Sequence, residues 1–161
     1  MATQTITPPR YVSSMSRGAS PTASFSEKEY GNGLQRLQDS YVLGQIAKGS
    51  ISELDRVYTE CSCSDWDGYG AEPVSASTHE LAGQFLLALP PGTPAPSIGA
   101  EPDGHLSLEW HKSPYWTLSV SVSPDGQLHF AALMGVSKQY GSEPFYGEVP
   151  QTILNLIHRV S

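Results

Sequence analysis

The sequence contains little cysteine, and this scarcity excludes the common structural zinc sites. Only two of its 161 residues are cysteines, Cys61 and Cys63. A structural zinc ion takes four ligands, usually from two such pairs, and the sequence has no second cysteine pair. Residues this close rarely form a disulfide. We therefore predict two reduced thiols and a cytoplasmic protein.

Basic residues are also scarce, with 9 Lys and Arg against 16 Asp and Glu, for a net charge of −7. The acid is concentrated over residues 53–72, where Arg56 is the only basic residue. Such a chain gains nothing from releasing the counterions of phosphates, so we predict no direct binding to nucleic acid. The pattern favours a protein partner with a basic surface. The alternative is that the acid only solvates the surface.

Long apolar runs are missing as well. No segment approaches the roughly 18 apolar residues that cross a membrane, and no apolar region typical of a signal peptide is found, so we expect no membrane association. The beginning of the chain is rich in Ser, Thr and Pro and has no acid before Glu27. We predict a disordered tail over residues 1–32 and a single domain over 33–161. A transit or secretion leader is the alternative interpretation of the tail.

Helical periodicity dominates the first part of the domain, where apolar residues recur at helical spacing between start and stop signals. The predicted helices are 33–48, ended by Gly49; 50–60, opened by the capping box Ser50-x-x-Glu53; 77–89, between the capping box Ser77-x-x-Glu80 and Pro90; and a C-terminal helix with Pro150 in its first turn. Their predicted apolar stripes include Leu54 and Val57, Leu81 and Phe85, and Ile153 and Ile157.

From Pro96 onward the apolar period changes to two. The segments SIGAEPDGHLSLEW and SVSVSPDGQLHFAA both have the plan strand, Pro-Asp-Gly, strand. This tripeptide suits a three-residue hairpin loop and would pair Glu101 with His105, and Ser123 with Gln127. A third turn over Lys112–Pro114 would join the two hairpins.

The resulting register places Ile98 opposite Leu108, Leu108 opposite Leu118, and Val120 opposite Phe130. All the large apolar side chains then share one face, and a slip of one residue would expose all of them. The predicted apolar face comprises Pro96, Ile98, Ala100, Leu106, Leu108, Trp110, Leu118, Val120, Val122, Leu128, Phe130 and Ala132.

These elements predict a two-layer α+β fold, in which a four-stranded antiparallel β-meander carries helices packed on one face. The 77–89 helix and the C-terminal helix supply the cover. Residues 135–149 form either a loop or an additional edge strand.

The opposite face of the sheet is polar, and the register places His105, Ser121 and His129 in one row. The two histidines would lie about 10 Å apart at their backbones, and nothing supplies a third metal ligand. A flat strand also lacks the oxyanion donors that a nucleophilic serine needs. We interpret the row as a solvated face. The short Ser and Thr side chains either admit a partner closely or are covered by the N-terminal helices.

The segment SDWDGYGAEPVS, residues 64–75, has the early ligand spacing of a calcium loop but fails at later positions. Tyr69 and Ala76 stand where that loop needs an oxygen ligand and a bidentate glutamate. The glycines and Asp67 are typical of turns, and Trp66 and Tyr69 are large enough to anchor the loop on the core. We predict a structural turn between two helices.

The order W-D-G-Y-G-A-x-P (66–73), a helix, P-D-G (102–104) and L-E-W (108–110) resembles a set of small bacterial proteins. The resemblance covers roughly residues 50–134. That set has no established activity, so it implies a fold-sized module and no catalytic residues. Such proteins often travel on mobile elements as antitoxins, immunity proteins or inhibitors of host defences.

We therefore predict a non-enzymatic module of bacterial or mobile-element origin that masks a protein partner. The sequence assigns no catalytic, cofactor or metal residues. The predicted partner-binding residues are Asp65, Trp66, Asp67, Tyr69, Glu72, Glu109 and His129. One alternative is a small metal-dependent hydrolase using His105, His129, Glu109 and nearby carboxylates. The other is a translocated effector whose tail is an export signal.

Overall fold

The computed structural model of the chain describes residues 48–161, which form an α+β fold of three helices and one five-stranded antiparallel sheet. The elements are helix α1 (48–61), helix α2 (Ala76–Ala88), strands β1 (Ser97–Ala100), β2 (Leu106–Ser113), β3 (Trp116–Val122), β4 (Gln127–Met134) and β5 (Ser137–Pro144), and helix α3 (Gln151–Val160). The α+β class is confirmed, and the predicted count of four strands is wrong. The predicted tail over 1–32, with its export alternative, and the 33–47 part of the first predicted helix lie outside the described residues.

The fifth strand, β5, occupies most of the segment that the sequence left undecided. The chain reverses at Gly135, whose φ is +65°, and β5 then pairs with β4 along its whole length. No residue of β5 is buried. A strand without an apolar face carries no alternation, which is why the pattern of the sequence did not reveal it.

The register agrees with the prediction in two of the three strand pairs that were predicted. Ile98 pairs with Leu108, and Val120 pairs with Phe130. Between β2 and β3, however, Leu108 pairs with Val120 and not with Leu118. The prediction is wrong here by two residues, because the strands continue through a bulge to a turn at 114–115. A shift of two leaves every side chain on its predicted face.

The apolar face of the sheet is the core of the molecule. Every residue predicted on it is buried except Ala100, which is partly buried, and Met134 extends it. Helices α2 and α3 pack on the sheet. Helix α1 lies against α2, where the side chain of Leu54 approaches Gly83 and Tyr58 stacks on His79 with ring centroids 4.5 Å apart.

The helix boundaries differ from the predicted ones at three places. Residues 48–61 are helical through Gly49, so neither the predicted stop there nor the predicted cap at Ser50 is correct. Helix α2 is capped by Ser75, whose hydroxyl accepts from the Thr78 amide at 3.1 Å, and Ser77 lies in its first turn. Pro150 is the N-cap of α3 and precedes its first turn. Several polar residues in sequence offered equivalent caps, and packing selected among them.

The buried stripes of the helices are shifted slightly from the predicted ones. In α2, Phe85 is buried as predicted, but Leu81 is only partly buried, and Ala82 and Leu86 lie in the core. The core residues of α3 are Ile153, Leu156, Ile157 and Val160. Within residues 48–161, no helix is long and apolar enough to cross a membrane.

Phe85 provides a direct test of this packing. Its side chain is completely buried and meets the ring of Phe145 edge-on, with centroids 5.8 Å apart. We expect Phe85→Ala to lower the free energy of unfolding by about 3–5 kcal/mol, because the cavity cannot close completely. Leu87→Ala, on the same helix at a side chain that is 69% exposed, should change it by less than about 0.5 kcal/mol. Equal losses in urea denaturation would contradict the placement of α2.

The two cysteines are free thiols in different surroundings, with Cys61 buried in the core and Cys63 exposed. Burial raises the pKa of the Cys61 thiol, and the neighbouring carboxylate of Glu60 raises it further. A raised pKa leaves less of the reactive thiolate at any pH below it.

Iodoacetamide at pH 8 should therefore modify the folded protein once, at Cys63, and the urea-unfolded protein twice. Intact mass spectrometry counts the adducts. The Cys63→Ser variant serves as the control and should react only after unfolding. Rapid modification of folded Cys63→Ser would show that Cys61 is accessible.

Candidate functional site

The loop over residues 62–75 and the β1–β2 hairpin form one connected unit. The Glu72 amide donates to the Pro102 carbonyl at 2.8 Å, and the Val74 amide donates to the Cys61 carbonyl at 2.9 Å. Gly104 has φ +81°, and a β-carbon placed on it would lie 3.0 Å from the Pro73 carbonyl oxygen. Two motifs about 30 residues apart in sequence, the Trp-Asp-Gly loop and the Pro-Asp-Gly turn, are thus in direct contact.

The carboxylates of the two aspartates in the loop accept hydrogen bonds from the loop's own backbone amides. Asp65 accepts from the Gly70 amide at 2.7 Å, and Asp67 accepts from the amides of Tyr69 at 2.8 Å and Ala71 at 3.1 Å. Asp65 itself has φ +60°, which Asp tolerates better than most residues. These bonds fix the shape of the loop, which agrees with the predicted structural turn.

The two aromatic residues of the loop have opposite environments. Trp66 packs against the core, and its indole Nε1 donates to the Glu72 carbonyl at 3.0 Å, as predicted. The predicted anchoring of Tyr69 is wrong, because its side chain is 94% exposed. The amide of Tyr69 is held by Asp67, and the flanking Gly68 and Gly70 both have positive φ, so the chain turns with this side chain outside.

Charge around the loop is negative and poorly balanced. Arg56 is held between two glutamates, with Nη2 2.6 Å from Glu53 Oε1 and Nη1 2.8 Å from Glu60 Oε1. The hydrogen bond from Arg56 lowers the pKa of Glu53. Because Arg56 is paired with these two glutamates, its positive charge does not balance the negative charges of Asp65 and Glu72, which are exposed in the loop.

Next to this unit, four polar side chains converge on the open face of the sheet. The Ser121 hydroxyl donates to Glu101 Oε2 at 3.1 Å and lies 3.3 Å from His105 Nδ1. The rings of His105 and His129 are parallel, with centroids 5.9 Å apart. Nδ1 of His129 is 2.7 Å from the Ser142 hydroxyl.

The predicted row of His105, Ser121 and His129 needs correction. Ser121 pairs across the sheet with Ser107 and His129, so His105 lies beyond the row, at the end of the hairpin. The three residues still meet, because the long side chains lean together. The expectation that nothing supplies a third ligand to His105 and His129 stays a prediction, because the possible ligand set in the described residues leaves out His129. Ligand atoms of Glu101, Asp103 and His105 all lie within 4.8 Å of one another.

Sequence reasoning missed Glu101 and Asp103 as members of this cluster, although the signal was present. They stand with His105 in the pattern E-x-D-x-H across the Pro-Asp-Gly turn. The turn brings its two ends, Glu101 and His105, into a backbone hydrogen bond, and Asp103 lies two residues from each, so this spacing brings three potential ligands together.

The cluster does not have the geometry of a nucleophilic triad. The same nitrogen of His105, Nδ1, lies 3.3 Å from the Ser121 hydroxyl and 3.5 Å from Asp103 Oδ2. In a triad, one ring nitrogen faces the nucleophile and the other faces the carboxylate. This arrangement therefore does not make Ser121 a nucleophile.

The polar face is formed by short side chains and charged groups, none of which is buried. Its residues are Glu101, His105, Ser107, Glu109, Thr117, Ser119, Ser121, Gln127 and His129. Helices α2 and α3 pack on the opposite, apolar face, and no helix of the described region covers this one.

The predicted partner-binding residues are not all in one place. His129 lies at the end of the sheet that carries the 101–105 hairpin, on which the loop with Asp65, Trp66, Asp67, Tyr69 and Glu72 is fixed. Glu109 lies four residues along the strand from His105, about 13 Å away. It pairs with Ser119, and its carboxylate oxygen Oε1 lies 4.0 Å from Nδ1 of His111.

No protein-family model matches the chain, and no curated protein or solved structure matches it either.

The contact between loop and hairpin makes a prediction about two glycines. Gly104 and Gly70 both have positive φ, but only Gly104 has a backbone atom within 4 Å of an added β-carbon. Gly70→Ala should cost about 1 kcal/mol of unfolding free energy from backbone strain alone. Gly104→Ala should cost more, about 2–3 kcal/mol, because the Pro73 carbonyl must also move. Equal costs in urea denaturation would contradict the contact.

Proposed function

We propose that this protein is a cytoplasmic, non-enzymatic protein-binding module of bacterial or mobile-element origin. It masks a protein partner, as an antitoxin, an immunity protein or an inhibitor of host defences does. The observation that supports this most directly is Tyr69, which is 94% exposed on a loop whose backbone is held by hydrogen bonds to Asp65 and Asp67.

A rigidly presented tyrosine favours a protein partner over a small ligand. Tyrosine offers a large contact area with a polar end and loses little conformational entropy on binding, which is why it is frequent among the residues that dominate interfaces. Hydrogen bonds that backbone amides donate to the side chains of Asp65 and Asp67 hold the loop in one shape. A loop already ordered before binding reduces the entropic cost of association.

The charge of this surface favours a partner with a basic patch. Asp65 and Glu72 are exposed on the loop, and the nearest basic side chain in sequence, Arg56, is paired with two glutamates. Complementary charge would mainly accelerate association and select the partner. The polar face of the sheet lies beside the loop, and its short Ser and Thr side chains allow the partner a second, close contact.

The test is affinity capture from an extract of the source organism with the tagged full-length chain, followed by mass spectrometry. We expect a protein that is retained by the wild type and lost with Tyr69→Ala. With the charge reversal Glu72→Lys, binding should weaken roughly tenfold or more and become less sensitive to salt.

The matched control is Tyr115→Ala, which removes a 67% exposed tyrosine from the turn between β2 and β3, at the other end of the sheet. It should retain the partner at wild-type strength. If Tyr69→Ala and Tyr115→Ala bind equally well, the loop is not the contact surface. If the wild type retains no specific protein, the proposal fails as a whole.

A further inference from the structure

We propose that Glu101, Asp103 and His105 form a binding site for one divalent transition-metal ion, with Zn²⁺ as the reference ion. The site lies on the β1–β2 hairpin, and solvent completes its coordination. It adjoins the proposed protein-binding surface, but it is argued from other residues and does not rest on the proposed function.

The spacing of the three side chains suits a shared ion. His105 Nδ1 and Asp103 Oδ2 are 3.5 Å apart. Two ligand atoms bound to one tetrahedral ion at about 2.0–2.1 Å stand about 3.3 Å from each other. All three residues offer ligand atoms within 4.8 Å of one another, and Asp103 is exposed while Glu101 and His105 are partly buried, so small side-chain rotations would close the set.

The backbone that carries these side chains is already fixed. The Glu101 amide donates to the His105 carbonyl at 2.9 Å, and the Gly104 amide donates to the Glu101 carbonyl at 3.0 Å. The loop braces the same turn through the bond from Glu72 to Pro102. An ion would therefore have to order only side chains, which keeps the entropic cost of binding low.

The types of ligand indicate the class of ion. One imidazole with two carboxylates suits Zn²⁺ and related transition ions, whereas Ca²⁺ and Mg²⁺ prefer oxygen ligands alone. The cluster therefore offers a nitrogen ligand in addition to its two carboxylates. Ser121 adds support at Glu101, because its hydroxyl donates to Oε2 and orients that carboxylate, whereas its 3.3 Å contact with His105 Nδ1 is one that a bound ion would replace.

His129 is not assigned as a ligand. Its ring is stacked parallel to that of His105, and Nδ1 is engaged by Ser142. His129 adjoins the site but is not one of the three proposed ligands. Its substitution therefore tests whether a histidine that is only near the site affects binding of the ion.

The experiment is isothermal titration of the metal-free full-length chain with ZnCl₂ at pH 7.5, repeated with MgCl₂. We expect one saturable site for Zn²⁺ and none for Mg²⁺ at the same concentrations. His105→Ala, Asp103→Asn and Glu101→Gln should each weaken Zn²⁺ binding by about tenfold or more. Circular dichroism of each variant verifies its fold, and a ligand variant that unfolds is replaced by His105→Gln.

Two histidine variants complete the design. His111→Ala is the matched control, since His111 also faces one carboxylate, Glu109 at 4.0 Å, and it should leave the Zn²⁺ affinity within about threefold of the wild type. His129→Ala should do the same. Absence of saturable Zn²⁺ binding, or equal losses in His105→Ala and His111→Ala, would overturn the site. A tenfold loss in His129→Ala would overturn the assignment of three ligands.

Discussion

Burial of one face of the antiparallel sheet is the constraint on which the rest of this structure depends. Leu108, Val120 and Phe130 lie side by side on that face, on three successive strands, and helices α2 and α3 cover them. Because side chains alternate along a strand, burying this face forces the intervening polar residues onto the other one. The polar character of the face that carries His129 and Ser121 is thus a direct consequence of the core.

The contact between the 62–75 loop and the β1–β2 hairpin makes the polar face of the sheet a candidate binding site. A hydrogen bond from the Glu72 amide to the Pro102 carbonyl ties the two motifs together, and the close approach of Gly104 to Pro73 leaves little room for a side chain there. The same turn displays Asp103 toward His105. One contact therefore fixes both the proposed partner surface around Tyr69 and the proposed metal site.

The two proposals use different chemistry and so place different demands on the fold. Recognition of a protein needs an exposed, ordered aromatic residue with a defined charge around it, which the loop provides through Tyr69. Binding of an ion needs few ligands at short, fixed separations, which the alternation of Glu101, Asp103 and His105 along a tight hairpin provides. Neither requires a closed pocket, and that agrees with an open sheet face.

The sequence by itself determined the α+β class, both Pro-Asp-Gly hairpins and the division of the sheet into two faces, because these depend on local turn chemistry and on a period of two. It could not determine β5, which has no buried residue. Nor could it choose Ser75 over Ser77 as the cap of α2, since packing selects between near-equivalent caps. Only the tertiary structure decided that Tyr69 is exposed and that the 62–75 loop contacts the Pro-Asp-Gly turn at Pro102. Such meetings depend on how loops pack, which no periodicity in sequence records.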